Sequence, residues 1–361
     1  MLNLIIMWTF EGTTVTTTIR HSDALHWATE VFVRLGYAAA DAAYLADTLV
    51  EANLRGVDSH GLIRLPIYSR RIEAGLVDPA AVPVVSRDRG LVRIDAAGAP
   101  GQLAARAGVD EAERAAREHG VGCVAIHGSA HFGAAGYYAR ALAERGLIGL
   151  VTSNSEPIVV PFGGRRPLFG TNPIAFAAPT VAGVFCFDMA TSVVAMGKVL
   201  NAQASGSSIP ADWGVDDHGE PTTDPTRVAA VQHFGGPKGY ALAFMVEILA
   251  GVLTGAAVTS DLGNMYTDFD RRQETGHFVL ALDIAGLLPL DAFTARLDRL
   301  AEQAHAVPAA GESGVLVPGE PEERIRRQRL AEGLSLPGDV VDELSELGER
   351  LGVRFPEGGT A

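Results

Sequence analysis

The segment Val121-Gly122-Cys123-Val124-Ala125-Ile126-His127-Gly128-Ser129-Ala130-His131-Phe132-Gly133-Ala134-Ala135-Gly136 decides the fold class. Its first six residues form an apolar, β-rich run, which predicts a strand. Glycine and small polar residues follow, and Gly133–Arg145 has a helical pattern. Strand, glycine-rich turn and helix in that order indicate an α/β protein, and the backbone N–H groups of such a turn suit an anion. The turn is not G-x-G-x-x-G, and that fingerprint occurs nowhere in the chain. The main sequence support for a Rossmann unit is therefore missing. An ordinary strand-to-helix turn fits the same residues.

Working outward, Gly120 stops a helix predicted from about Gln102 to His119, and Leu147–Val151 reads as the next strand. Val82–Val85 and Leu91–Ile94 flank a Gly-containing turn and predict a hairpin, with Pro83 putting the first run at a sheet edge. Before it lie three predicted helices: one capped by Ser22 and ending at Gly36, one from Asp41 to Arg55, and one from Ser59 to Ala74 in which Pro66 suggests a kink or break. Downstream, Ile174–Ala178 pairs with Val184–Phe187, and a helix covers Val194–Ala204. The apolar run Tyr240–Val258 reads as a buried core helix, since Glu247 near its middle opposes membrane insertion. His277–Ile284 reads as a strand, and Leu290–His305, Glu322–Glu332 and Asp339–Leu351 as helices. The expected plan is an α/β fold in which both chain ends build an outer helical part. It divides into 18–84, a central sheet part at 85–285, and 286–361 packing back on the first.

Composition narrows the function. The chain has 361 residues, 47% of them hydrophobic, and a net charge of −14 at pH 7. That supports a sizeable core and argues against nucleic acid or an anionic membrane as partner. Cys123 and Cys186 sit in apolar runs and are expected as free thiols, and no His/Cys cluster has zinc-ligand spacing. Met1–Phe10 is apolar, but too short for a spanning helix and without the basic start of a signal peptide. The cytoplasm is the default location.

Asp58-Ser59-His60-Gly61 begins the third predicted helix, with Arg64 four residues after His60. At that spacing an imidazole and a guanidinium share one helix face. Imidazole exchanges a proton near neutral pH, and guanidinium clamps a carboxylate bidentately, which is what a 2-oxo acid needs. A plain helix cap with surface neighbours fits the spacing as well. Gly170-Thr171-Asn172-Pro173 and Asp188-Met189-Ala190-Thr191-Ser192 place polar residues beside apolar runs. Gly235-Gly236-Pro237-Lys238-Gly239 puts a lysine where a bound anion would relieve its conflict with a helix N-terminus.

These segments, with Val317-Pro318-Gly319-Glu320-Pro321, resemble in their order the malate/L-lactate dehydrogenase family, which is distinct from the Rossmann lactate and malate enzymes. The resemblance covers about residues 20–335. It implies a largely non-Rossmann nucleotide-binding sheet, a homodimer, and hydride transfer between NAD or NADP and a small carboxylate substrate. It implies His60 as proton carrier with Ser59 and Asp188 as relay partners, His131 being the alternative carrier, and Arg64 as the substrate-carboxylate contact. Cofactor contacts are implied at His131, Phe132, Gly133, Ala134, Ala135, Asn172, Thr191, Ser192, Lys238, Gly239, Pro318, Gly319 and Glu320; no metal is implied. The sequence leaves open NAD against NADP, a 2-oxo acid against a cyclic imine such as piperideine-2-carboxylate, and a non-catalytic binding protein on the same fold.

Overall fold

The computed structural model describes residues 16–311 and 314–360; the apolar stretch Met1–Phe10 lies outside them. Strand β1 (Thr16–Ile19) leads into helices α1 (His21–Arg34), α2 (Ala39–Leu54) and α3 (Leu65–Glu73). The hairpin β2 (Val84–Asp88) and β3 (Leu91–Asp95) precedes α4 (Gly101–His119), β4 (Val121–Ser129), α5 (Ala135–Glu144) and β5 (Leu147–Ser153). Then come β6 (Ile174–Pro179), β7 (Val184–Met189), α6 (Met196–Ala204), β8 (Gly214–Val215), β9 (Ala230–Val231), α7 (Pro237–Val246) and β10 (Thr275–Asp283). The chain closes with α8 (Leu290–His305), α9 (Glu320–Glu332), β11 (Leu334–Pro337), α10 (Gly338–Leu351) and β12 (Gly359–Thr360).

The central sheet has seven strands in the order β2-β3-β4-β10-β5-β6-β7. Only β3 and β4 run parallel; the other neighbours are antiparallel. α4 and α5 cover it with small residues. Ala104, Ala105, Gly108, Val109, Ala112, Ala115 and Ala116 of α4 are buried at helical spacing. A side chain at Gly122 would meet the Ala112 carbonyl at 2.0 Å, so helix and strand touch backbone to backbone there. Ile94, Val124, Ile126 and Val279 close this core, each buried aliphatic contributing about 1.5–3 kcal/mol.

A second core joins the chain ends. Trp27, Val31, Phe32, Leu45, Leu49, Leu62 and Leu65 pack with Leu334, Leu336, Leu344 and Leu347. β1 lies between β11 and β12 in a separate three-stranded sheet. α9 contacts α2, whereas α8 contacts the 3-10 turn after β10, and Asp298 of α8 accepts the Val181 amide from the β6–β7 turn. Both cysteines are free; Cys186 is buried and Cys123 half-buried. Among the described residues no helix is long and apolar enough to cross a membrane.

Three expectations need correction. The helix expected over Ser59–Ala74 is two 3-10 turns, Asp58–His60 and Leu62–Arg64, followed by α3. The break falls at Gly61, which packs so closely on Asn53 that a Cβ would lie 2.2 Å from its Oδ1. Pro66 falls in the first turn of α3, where its missing N–H costs nothing, and so starts the helix instead of kinking it. Ser22 is inside α1, whose N-cap is Arg20. The apolar helix expected over Tyr240–Val258 is α7 continued by a π-helical turn, Glu247–Val252. Its core-facing side is buried, but Phe244, Met245, Ile248, Val252 and Leu253 are exposed.

Candidate active site

Asn53 and Asp58 build the turn that carries His60. Asn53 Nδ2 donates to Asp58 Oδ1 (2.6 Å), and Asn53 Oδ1 accepts the Leu62 amide (2.8 Å). Arg329 of α9 closes on the Asp58 carboxylate at 2.6 and 3.0 Å. On this platform the Ser59 hydroxyl lies 2.9 Å from His60 Nδ1, and Arg64 Nε donates to the Ser59 carbonyl (2.5 Å). The i, i+4 helix face is therefore replaced by two short turns, which still bring His60 and Arg64 together.

His131 comes from the other core. Its ring stacks on His60 with centroids 5.5 Å apart and planes at 27°. Its Nδ1 accepts the Gly133 amide (3.3 Å) and faces the Tyr68 hydroxyl at 2.6 Å. An Nδ1 that accepts from an amide leaves the proton of the neutral ring on Nε2. The His131 backbone amide donates to Gln273 Oε1 (3.0 Å). Phe132 stacks at 4.3 Å on His277, whose two ring nitrogens each lie 2.8 Å from a serine hydroxyl, Ser153 and Ser129. Burial, and next the Arg64 cation, push the His60 pKa down to about 3. Burial followed by His60 and Arg64 holds His131 well below the usual histidine value. Burial raises the carboxyl of Glu156, which faces Arg64 and Arg71.

The remaining expected residues form two further groups. Ala134, Asp188 and Gly319 line an open cleft of about 1120 Å³ together with Arg55, Arg140 and Arg326. Asp188 is not a contact of His60 in this chain: its Oδ2 accepts the Gly136 amide (2.7 Å) at the start of α5. The relay assigned to it is thus not made within the chain. Gly319 docks its turn on β7, where a Cβ would meet the Cys186 carbonyl at 2.6 Å. Glu320 is turned to His305 (2.9 Å) and to the Val317 amide, and Pro318 is exposed.

The third group surrounds the start of α7. Asn172, at φ +40°, donates to Glu247 Oε2 (2.8 Å) and to the Ala243 carbonyl (3.2 Å). The Thr191 hydroxyl donates to the Thr171 carbonyl (2.9 Å), and the Thr191 carbonyl accepts the Phe234 amide (3.2 Å). Ser192 bonds the Val194 carbonyl (2.9 Å). Gly239 is buried against the Phe234 carbonyl, while Lys238 is exposed.

Tyr68, Gln273 and Glu156 belong to these clusters without a part in the sequence pattern, and Glu247, read only as a charge in an apolar run, is the partner of Asn172. Tyr68 had a signal, four residues beyond Arg64. Gln273 and Glu156 lie far along the chain and had none.

The malate/L-lactate dehydrogenase family model matches residues 19–345. The chain is 37% identical over 306 residues to a ureidoglycolate dehydrogenase (NAD(+)) of Escherichia coli O157:H7, covering 84% of this chain and 88% of that one. A Δ1-pyrroline-2-carboxylate/Δ1-piperideine-2-carboxylate reductase of Pseudomonas putida is 38% identical, with 88% and 93% covered. The solved sulfolactate dehydrogenase of Methanocaldococcus jannaschii superposes with a TM-score of 0.89 at 31% identity, over 94% of this chain and 98% of that one. The chain belongs to the malate/L-lactate dehydrogenase family.

Proposed function

We propose that the chain is an oxidoreductase that interconverts small 2-oxo and 2-hydroxy carboxylic acids with a nicotinamide dinucleotide. The observation that carries this reading is the meeting of His60, Arg64 and His131 in one half-buried site drawn from both cores. The two cores support a division into 18–84 and 85–285 with the site at their junction; of 286–361, the part from α9 onward packs back on the first, whereas α8 lies against the central part.

The residues present fit a dinucleotide. Asn172 Oδ1 is buried with no partner among the described residues, a polar atom that a ligand would satisfy. Arg140, with no carboxylate within ion-pair distance among the described residues, lines the cleft beside Asp188 and suits a phosphate. Ala134, Asp188, Gly319 and Asn172 would hold the cofactor, which supplies the hydride when bound. NAD and NADP are both compatible with these donors.

Arg64 holds the substrate carboxylate through its two terminal nitrogens. His60 carries the proton at its Nε2, since Nδ1 is held by Ser59. Burial and Arg64 keep His60 neutral, the form that accepts a proton during oxidation. A substrate carboxylate on Arg64 offsets that cation and raises the His60 pKa from its depressed value, which favours the protonated ring that reduction requires. His131, fixed by Tyr68 and Gly133, donates its Nε2 proton as a hydrogen bond to the reacting oxygen.

A second reading, reduction of a cyclic imine carrying the same carboxylate, is supported by the 38% identity to the Pseudomonas putida reductase. The apolar face of α7 and its π-helical turn, with Phe244, Ile248, Val252 and Leu253 exposed, supports a homodimer. The two free cysteines support a cytoplasmic enzyme. A screen of both reduced dinucleotides against 2-oxo acids, with and without ammonia or methylamine, and against cyclic imines tests the reading. Turnover of 2-oxo acids without amine supports it; turnover of cyclic imines alone replaces it with the second.

A further inference from the structure

Apart from Gln273, which accepts the His131 amide, the loop Leu262–Glu274 before β10 has no part in the site described above. It is held onto α3 by Arg71, which is 2% exposed. Arg71 Nη1 donates to the carbonyls of Asp268 (2.9 Å), Met265 (3.0 Å) and Asn264 (3.4 Å), and Nη2 to that of Arg271 (3.3 Å). Inside the loop Asn264 Oδ1 accepts the amides of Tyr266 (2.8 Å) and Thr267 (3.1 Å). The Asp268 carboxylate accepts the Asn264 amide (2.9 Å) and Arg271 Nε (2.9 Å). Phe269 lies against the guanidinium of Arg70 at 4.7 Å and that of Arg71 at 5.8 Å. A connection fixed at so many points presents a defined surface.

What it presents to the site is Tyr266, whose ring centroid is 5.6 Å from Arg64 Cζ. The ring is 38% exposed, so it is not filling a core. Arg64 Nε is committed to the Ser59 carbonyl, and among the described residues nothing accepts from either terminal nitrogen. The guanidinium is thus fixed at one edge by Ser59 and lies over the face of the Tyr266 ring, with its terminal nitrogens open.

We propose that Tyr266, held by the Arg71-pinned loop, is a positioning residue that fixes the plane of the Arg64 guanidinium for the substrate carboxylate. This rests on the reading of Arg64 as the carboxylate clamp. A guanidinium on a flexible stem loses rotamer freedom when it binds a planar carboxylate, and an aromatic face that orients it beforehand lowers that cost. The effect belongs to substrate binding and not to the proton or hydride step.

The test compares Tyr266→Phe, which keeps the ring, with Tyr266→Leu, which keeps apolar bulk without it. Kinetics with the best 2-oxo acid are measured beside oxamate binding to the dinucleotide-loaded enzyme, read from cofactor fluorescence. Tyr266→Leu is expected to raise KM and the oxamate Kd on the order of tenfold with kcat within about threefold. Tyr266→Phe is expected to retain the parent's values, and dinucleotide affinity to stay constant in both. Equal KM and oxamate Kd for the Leu and Phe variants overturn the proposal. Arg64→Gln separates the two levels. If oxamate binding survives it unchanged, the clamp reading fails and the Tyr266 role with it. If Arg64→Gln abolishes oxamate binding while Leu and Phe remain equal, only the Tyr266 role fails.

Discussion

The seam between α2 and α9 and the pocket around His60 treat charge in opposite ways. In the seam every cation meets a carboxylate: Arg55 reaches Glu51 at 3.2 Å and Glu323 at 3.1 Å, Arg326 reaches Glu51 at 3.1 Å, and Arg329 reaches Asp58 at 2.6 Å. In the pocket Arg64 has no carboxylate within ion-pair distance among the described residues, and the two stacked imidazoles are held neutral. Gln102 Nε2 and Gln273 Nε2 are buried nearby without described partners. The seam satisfies itself and serves cohesion. The pocket carries unspent polar capacity at a cost in stability, as expected of a place that a ligand completes.

The largest effect expected from this contrast is on turnover. His60→Ala should lower kcat by about 10²-fold or more, the usual size of acid–base help, with dinucleotide affinity unchanged in a fluorescence titration. Turnover within a few-fold of the parent would move the proton to His131 and redraw the pocket around it.

Next comes the arginine that frames the pocket. Arg71→Met leaves four loop carbonyls short of a donor; that of Met265 is buried and costs about 1–3 kcal/mol, and the three part-buried ones cost less each. A loss of about 3 kcal/mol or more is expected in urea unfolding. A change below about 1 kcal/mol would show that the loop does not depend on Arg71.

A smaller effect follows from the neutral imidazoles. Below about pH 6.5, the ordinary histidine value, the unfolded chain takes up protons that folded His60 refuses until about 3. Its contribution to stability is therefore complete above that pH and falls as the pH drops toward the folded value. The raised carboxyl of Glu156 acts in the opposite sense, so the comparison is between variants. From about pH 7.5 to about pH 5.5 the parent should lose about 1 kcal/mol more than His60→Gln. Parallel pH profiles would place a protonated ring in the folded pocket.

The smallest effect lies in the seam. Glu323→Gln breaks two pairs at a partly exposed carboxylate, with Arg55 at 3.1 Å and Arg327 at 3.7 Å, and should cost about 0.5 kcal/mol, without change in the KM of the 2-oxo acid. An altered KM for the 2-oxo acid would couple the seam, whose Arg55 and Arg326 line the cleft beside Asp188, to the His60 pocket.

The elements of the central sheet were largely legible because their signals are local. Val121–Ile126 falls inside β4, and the helix read at Leu290–His305 has the bounds of α8. The sheet order was not legible, since β10 enters between β4 and β5 from a distant part of the chain. β1, β11 and β12 are two to four residues long and find each other across the two chain ends, too short for periodicity to register. At the site, the sequence pairs His60 with Arg64 through a shared helix face that gives way to two turns, and Asn53, with no motif of its own, sets the break at Gly61. Asp188 was assigned by resemblance to a relay with His60 and instead holds the amide of Gly136. Tyr266 and Gln273 reach the pocket only through tertiary structure, so no local spacing announces them.

The central claim is that Arg64 and His60 serve carboxylate-anchored hydride transfer. The most direct measurement follows the near-ultraviolet absorbance of reduced dinucleotide with a panel of 2-oxo acids, for the parent and for Arg64→Gln. Reduction by the parent of at least one 2-oxo acid, with kcat/KM falling about 10²-fold in Arg64→Gln through a charge-assisted pair lost, is the predicted result. Equal turnover by both proteins would contradict the account.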